Sequence, residues 1–215
     1  MTGVLLATLA VSGSATSASA CSTQGNHCYG TVSTSPTAID GIVANIDPTC
    51  QYININDFIT SEVWLVSSSG SYWVEVGYIY VHGPAINGLG QGLAGFWGDR
   101  RPVDGMFFGH EIVDNPALIN RSASVQRQTS NSFLVNFGGL HAISTNNTMT
   151  VGRGDVGSET TSNYGPGSLS RYTLMAYRAG TWSGQLAAPI ALSVDPPQTQ
   201  AWTTQSSNMW AGVPC

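Results

Sequence analysis

The run Tyr72-Trp73-Val74-Glu75-Val76-Gly77-Tyr78-Ile79-Tyr80-Val81 constrains the fold more than any other stretch of the chain. Its residues are β-branched, aromatic or small, and side chains alternate between the two faces of a strand. Tyr72, Val74, Val76, Tyr78 and Tyr80 share one face; Trp73, Glu75, Gly77, Ile79 and Val81 share the other. Both faces are apolar apart from Glu75, so both call for cover. A carboxylate beside a tryptophan is costly to bury unpaired, which gives Glu75 either a partner or a chemical task. The chain holds only four glutamates: Glu62, Glu75, Glu111 and Glu159.

The rest of the sequence agrees with a β fold. Ser61 to Val66 is predicted to pair with Tyr72 to Val81 across the turn residues Ser67-Ser68-Ser69-Gly70-Ser71. Further strands are predicted at Gly92 to Asp99, Met106 to Val113, Ser122 to Arg127, Phe133 to Phe137, Thr148 to Val151, Ser158 to Ser162, Tyr172 to Ala179 and Ile190 to Val194. Gln51 to Asn56 alternates weakly. One short helix is predicted near the N-terminus: Ser35 caps it, Pro36 opens it, and Ile39, Ile42, Val43 and Ile46 fall on one helical face before Pro48 ends it. Many short strands with glycine turns indicate an all-β antiparallel jelly-roll sandwich of the concanavalin-like kind, with at most that one helix.

Residues 1–20 read as a signal peptide. Val4 to Val11 is a short apolar core, too short to span a membrane, and Ala18-Ser19-Ala20 fits a signal-peptidase site. Cys21 follows the cut, but Ala18 stands where a lipoprotein signal carries leucine, so release as a secreted protein is the expectation. Residues 21–215 have the length of a single domain, long enough to bury about 70% of the unfolded surface. Four cysteines remain, and four allow three pairings; Cys28–Cys50 with Cys21–Cys215 is favoured, because chain ends often lie close in a compact domain.

Charged residues make up 9% of the chain, with seven Arg, no Lys and a formal net charge of −5. That balance argues against nucleic acid and anionic membranes as partners and suits acidic media. Serine, threonine, asparagine and glycine supply the polar surface instead. The four histidines are scattered, and His110-Glu111 lacks the second histidine of a zinc-protease signature, so no metal and no cofactor are expected. No Gly-x-Ser-x-Gly elbow, phosphate loop or dinucleotide fingerprint occurs.

Glu75 and Glu159 are the candidate catalytic carboxyls. Two carboxyl groups take different roles when their surroundings separate their proton affinities: one acts as general acid, the other activates water or attacks directly. Trp73 would wall the cleft, and Trp97 is a second candidate substrate contact. The plainer reading makes each glutamate a structural acceptor for backbone amides or arginine. Trp97, Asp99, Arg100 and Arg101 read best as an Asp–Arg pair closing a loop before Pro102. Arg153-Gly154-Asp155 spells an adhesion tripeptide, most simply by chance.

The Trp73-Val74-Glu75-Val76-Gly77 strand, the Phe96-Trp97-Gly98-Asp99-Arg100-Arg101-Pro102 stretch and Gly157-Ser158-Glu159 together resemble uncharacterised exported actinobacterial proteins. More remotely, the order of elements is similar to the glutamic peptidases. That resemblance implies a strand Gln working with a Glu some eighty residues later; Glu75 falls at the Gln position and Glu159 at the Glu position. Here a Glu replaces the Gln, and a Glu–Glu pair resembles the neprosin-type peptidases instead. Small secreted xylanases are also two-glutamate jelly rolls, but their flanking motifs are missing, as is the Glu-x-Asp-x-Glu of laminarinase-like sandwiches. The expectation is an acid-acting carboxylate-pair hydrolase on an extracellular polymer, protein or polysaccharide. Its alternatives are a non-catalytic glycan-binding module, a structural secreted protein or a two-glutamate glycosidase.

Overall fold

The computed structural model describes residues 27–33, 39–48, 55–84, 86, 88–161, 169–178, 180–183, 191–194, 199–203 and 208–212. Every regular element among them is a strand. The first five are β1 (Cys28–Ser33), β2 (Gly41–Pro48), β3 (Asp57–Ser67), β4 (Trp73–His82) and β5 (Gly92–Arg100). Next come β6 (Phe107–Asp114), β7 (Arg121–Thr129), β8 (Ser132–Phe137), β9 (Leu140–Thr145) and β10 (Val151–Thr160). The last are β11 (Leu169–Arg178), β12 (Thr181–Ser183), β13 (Ala191–Val194), β14 (Thr199–Thr203) and β15 (Asn208–Gly212). One sheet runs β13-β1-β10-β3-β4-β5-β6 and the other β14-β15-β11-β2-β7-β8-β9, with β12 on β11. All neighbours are antiparallel. The fold is the β-sandwich that the strand pattern predicts.

The main core lies between the sheets. Val32, Val63, Leu65, Val74, Val76, Tyr78 and Val156 from the first sheet meet Ile42, Ala44, Ile46, Ala123, Val125, Phe133, Val135 and Phe137 from the second. Tyr78 packs edge-on to Phe137 at 4.9 Å and donates a 2.7 Å hydrogen bond to the Ile119 carbonyl, so the buried hydroxyl is satisfied. Two glycines let the sheets close. A Cβ on Gly95 would lie 2.3 Å from the Phe137 ring, and one on Gly154 would lie 2.6 Å from Ile42 Cδ1.

The predicted hairpin forms as β3 and β4, in register from Asp57↔His82 to Val66↔Trp73. Gly70 takes φ +74° in its turn, and Ser67 Oγ accepts from the Tyr72 amide at 3.1 Å. The predicted helix is not formed: residues 41–48 are strand β2. Ile42, Ala44 and Ile46 are buried while Asn45 is exposed, which is alternation. The Ile42/Ile46 spacing fits both periods, and pairing with β7 and β11 decides it. Residues 34–38, including the expected cap, lie outside the described residues. Thr148 to Val151 and Ser158 to Ser162 are not two strands either. One strand, β10, spans Val151–Thr160, hidden in the sequence by Gly152, Gly154 and Gly157. Strands β1, β9, β12, β14 and β15 were not predicted. Cys28 is buried. Cys21, Cys50 and Cys215 lie outside the described residues, and so does the expected pairing.

Gly95→Ala should therefore lower stability by about 1–3 kcal/mol, because the added methyl would overlap the fully buried Phe137 ring and Val113. Urea denaturation of the variant measures this, and an unchanged midpoint would contradict the close packing.

Candidate functional site

The register of the first sheet sorts its side chains into rows across five strands. Tyr29 (β1) pairs with Glu159 (β10), whose strand runs beside β3. One row along, Gly157, Glu62 and Gly77 lie opposite one another on β10, β3 and β4. The next row holds Asp155, Trp64, Glu75 and Gly98 on β10, β3, β4 and β5. All of these point to the face away from the second sheet, because Val63, Leu65, Val74, Val76 and Val156 occupy the other one. Glu159, Glu62 and Glu75 thus form a staircase, one per strand and one row apart. Diagonal neighbours of this kind stand about 7–8 Å apart.

The two predicted carboxyls share that face, and their surroundings differ. Glu159 forms an ion pair with His27 Nδ1 and accepts a 3.2 Å hydrogen bond from the Tyr29 hydroxyl. Its own amide donates to Thr60 Oγ1 at 2.9 Å, which pins the strand beneath it. The bond to Glu159 raises the His27 imidazole above its usual value, against the opposing effect of burial. Burial raises the Tyr29 phenol far above its usual range, and the Glu159, Glu75 and Glu62 charges add to this.

Glu75 is buried, with 5% of its surface exposed. Its carboxyl lies over Gly98, where a Cβ would meet the Phe107 ring at 2.6 Å and Glu75 Oε1 at 2.9 Å. Burial holds the Glu75 carboxyl well above the ordinary range, and the Glu159 charge adds to the shift. The Trp73 and Trp64 indoles favour the ionised form, and they do not outweigh desolvation. The Trp73 Nε1 closes no hydrogen bond of ordinary geometry. Trp73 is itself held by Phe107, stacked at 6.2 Å, and by the Arg100 guanidinium 5.5 Å over its ring.

Glu62 was passed over in the sequence. It is fully buried between Gly77 and Gly157, and among the described residues neither carboxyl oxygen closes a hydrogen bond of ordinary geometry. Burial raises it well above the usual range, followed by the charges of Glu75 and Glu159. The Thr60 hydroxyl works weakly against this, but it is engaged with the Glu159 backbone. A signal was present: Glu62 stands two residues before Trp64, as Glu75 stands two after Trp73, which places each glutamate on a tryptophan's face. His27 and Tyr29 had no such signal, since only the pairing of β1 with β10 brings them to Glu159.

Trp97 is not brought to this site. It lies opposite Val76 on the inward face, packs against the main core and stacks on His110 at 4.3 Å. Asp99, also inward, accepts a 2.6 Å hydrogen bond from Ser144 Oγ and has Arg101 Nε at 3.8 Å. Arg101 also bridges Asp104 at 2.6 Å, so this Asp–Arg cluster does tie the loop around Pro102. Arg153 and Asp155 of the adhesion-like tripeptide bond to each other at 3.0 Å within β10. Among the described residues, no three or more His, Cys, Asp or Glu are grouped to hold a metal ion.

No family model matches the chain, and no curated protein matches it in sequence. Solved structures do match in fold. Scytalido-glutamic peptidase, solved with a transition-state analogue inhibitor, superposes with a TM-score of 0.57 at 9% identity, over 86% of this chain and 97% of that one. SCP-B, a member of the eqolisin family of peptidases in complex with the tripeptide Ala-Ile-His, gives 0.50 at 9% identity, over 87% and 98%. A Bacillus licheniformis β-glucanase matches loosely, with a TM-score of 0.37 at 11% identity over 87% and 68%. The sandwich is thus of the kind found in glutamic peptidases, and at these identities the likeness concerns the fold.

The shifts fix a direction for stability against pH. Glu62 and Glu75 are raised above their ordinary value of 4.5, and His27 above 6.5. Each such group contributes stability that is complete below its unfolded value and is lost as pH rises through its folded one. The melting temperature should therefore fall as pH rises from about 4 to about 8, and the fall should be shallower in Glu75→Gln. Calorimetry across that range checks this; a melting temperature that rises with pH would contradict the buried, uncharged carboxyls.

Proposed function

We propose that the chain is a secreted acid-acting hydrolase that cleaves peptide bonds, with Glu159 as general base and Glu75 as general acid. The observation that carries this reading is the contrast between two carboxyls on one sheet face. Glu159 is paired with His27 and a phenol, while among the described residues Glu75 is buried without a counter-ion. The bond to Glu159 raises the His27 imidazole, so the proton of the pair is held on His27. The Glu159 carboxylate then accepts a proton from water as its oxygen attacks the substrate carbonyl. Neutral Glu75 gives its proton to the departing amine. Tyr29 aims the base, and Trp73 with Trp64 keeps the acid side dry.

The likeness in fold to glutamic peptidases supports a protein substrate over a polysaccharide. So does the state of Trp73: Phe107 and Arg100 engage its ring, which leaves it poorly placed as a platform for a sugar. Burial raises Asp99 and Asp155 as well, so every carboxyl shift resolved among the described residues is upward, as suits an acidic medium.

Glu159→Gln should lower kcat on denatured protein about 10²–10⁴-fold near pH 3–5. Glu75→Gln should lower kcat as well, because an amide has no proton to give to the departing amine. Equal rates in all three proteins would reject the site, and cleavage of mixed polysaccharides alone would reject the substrate class.

A further inference from the structure

Glu62 occupies the middle step of the carboxyl staircase. Its cross-strand neighbours on both sides are glycines, so no side chain separates it from the diagonal positions that hold Glu159 and Glu75. A Cβ on Gly77 would lie 2.6 Å from the Glu62 Cβ, so nothing larger than glycine fits there. Glu62 is fully buried, and among the described residues neither of its oxygens closes a hydrogen bond of ordinary geometry. A structural acceptor would be hydrogen-bonded; among the described residues this carboxyl closes no such bond, and the nearby Thr60 hydroxyl is engaged with the Glu159 backbone.

The charged groups around it make its state depend on theirs. Glu75 faces it from β4, and Glu159 from β10, with Tyr29 and His27 beyond. Asp155 on β10 is occupied by Arg153. Glu111 lies at the far end of the same row on β6, behind Phe96, and is exposed. Arg100, on β5, sits over Trp73, and Asp99 acts on Glu75 from the inward face. Among the described residues no cation pairs with Glu62 or Glu75. Two buried carboxyls at this spacing, with no counter-ion, do not both ionise at acidic pH.

We propose that Glu62 is a positioning residue of the hydrolytic site, forming with Glu75 a dyad that carries at most one charge and so retains the proton the reaction needs. The inference rests on the hydrolytic reading for its consequence but not for the dyad itself. Protons leave such a pair in two steps that belong to both residues. The upper step, at which the last proton is lost, sets the alkaline limit of activity. Removing either carboxyl leaves the other with Glu159 as its remaining acidic neighbour, and it titrates below that upper step.

The test compares wild type, Glu62→Gln and Glu75→Gln in two measurements. In the pH profile of kcat/KM on denatured protein, the alkaline limb of Glu62→Gln should move down by about one pH unit. In carbon NMR titration of labelled glutamate carboxyls, wild type should show two coupled steps for Glu62 and Glu75, and Glu62→Gln one step at lower pH than the wild-type upper one. An unmoved limb in Glu62→Gln overturns the positioning role. A single ordinary-range step for Glu75 in wild type overturns the dyad, and needs no variant to fold. Two coupled steps in a protein that hydrolyses nothing would remove the hydrolytic reading and leave the dyad standing.

Discussion

A carboxyl group buried in a sheet face without a counter-ion is stable only as the neutral acid, and the outer face of the first sheet is organised around that constraint. For Glu62 and Glu75, burial is the largest cause of the upward shift, and the charges of nearby carboxyls add to it. The chain has no lysine. Every arginine whose side chain is described is engaged elsewhere. Arg153 holds Asp155, Arg101 holds Asp104, and Arg127 lies beside Asp40. Arg100 and Arg121 sit over the rings of Trp73 and Phe137. The basic side chains thus leave Glu62 and Glu75 without a charge to neutralise them, and proton retention takes that place. Glu159 differs because β1 brings His27 and Tyr29 to it.

The two faces of this sheet divide the work. The inward face is a packed apolar layer closed by aromatic edge contacts and by glycines at the close approaches. Because interiors pack at crystal-like density, that layer fixes the strands that carry the outward residues. On the outward face, glycine serves a second purpose. Gly77 lets β4 approach the β3 backbone at Ser61 and Glu62, Gly157 lets β10 approach β1 at Gly30, and Gly98 leaves space for the Phe107 ring and the Glu75 carboxyl. Proton affinities are therefore set by backbone register as much as by the acidic residues themselves.

Much of the fold was legible because period-2 alternation survives in the long strands. The hairpin of β3 and β4 is visible in Glu62 to Val66 and Trp73 to Val81, where each face keeps its own chemistry. The prediction failed where the pattern was ambiguous or interrupted. Ile42 and Ile46 satisfy helical and strand spacing alike, and only the neighbouring strands select between them. In β10, glycines at 152, 154 and 157 erase the hydrophobic alternation. Of the site, Glu75, Glu159 and Trp73 stood out by type and setting, since charge is rare in this chain. Trp97 drew attention for the same reason, but its strand position turns it inward.

The sequence by itself determined the architecture and the face on which Glu75 and Trp73 lie, because alternation along one strand is a local property. It also determined that charge would be scarce, so that each buried carboxyl carries unusual weight. Only the tertiary structure decided which residues meet. Strands distant in sequence pair as neighbours, and the register between them places Glu159, Glu62 and Glu75 on successive steps. Long-range pairing is a property of the packed sheet and leaves no periodic trace in any one segment. That is why a glutamate passed over in the sequence lies at the centre of the site, and why a conspicuous tryptophan lies outside it.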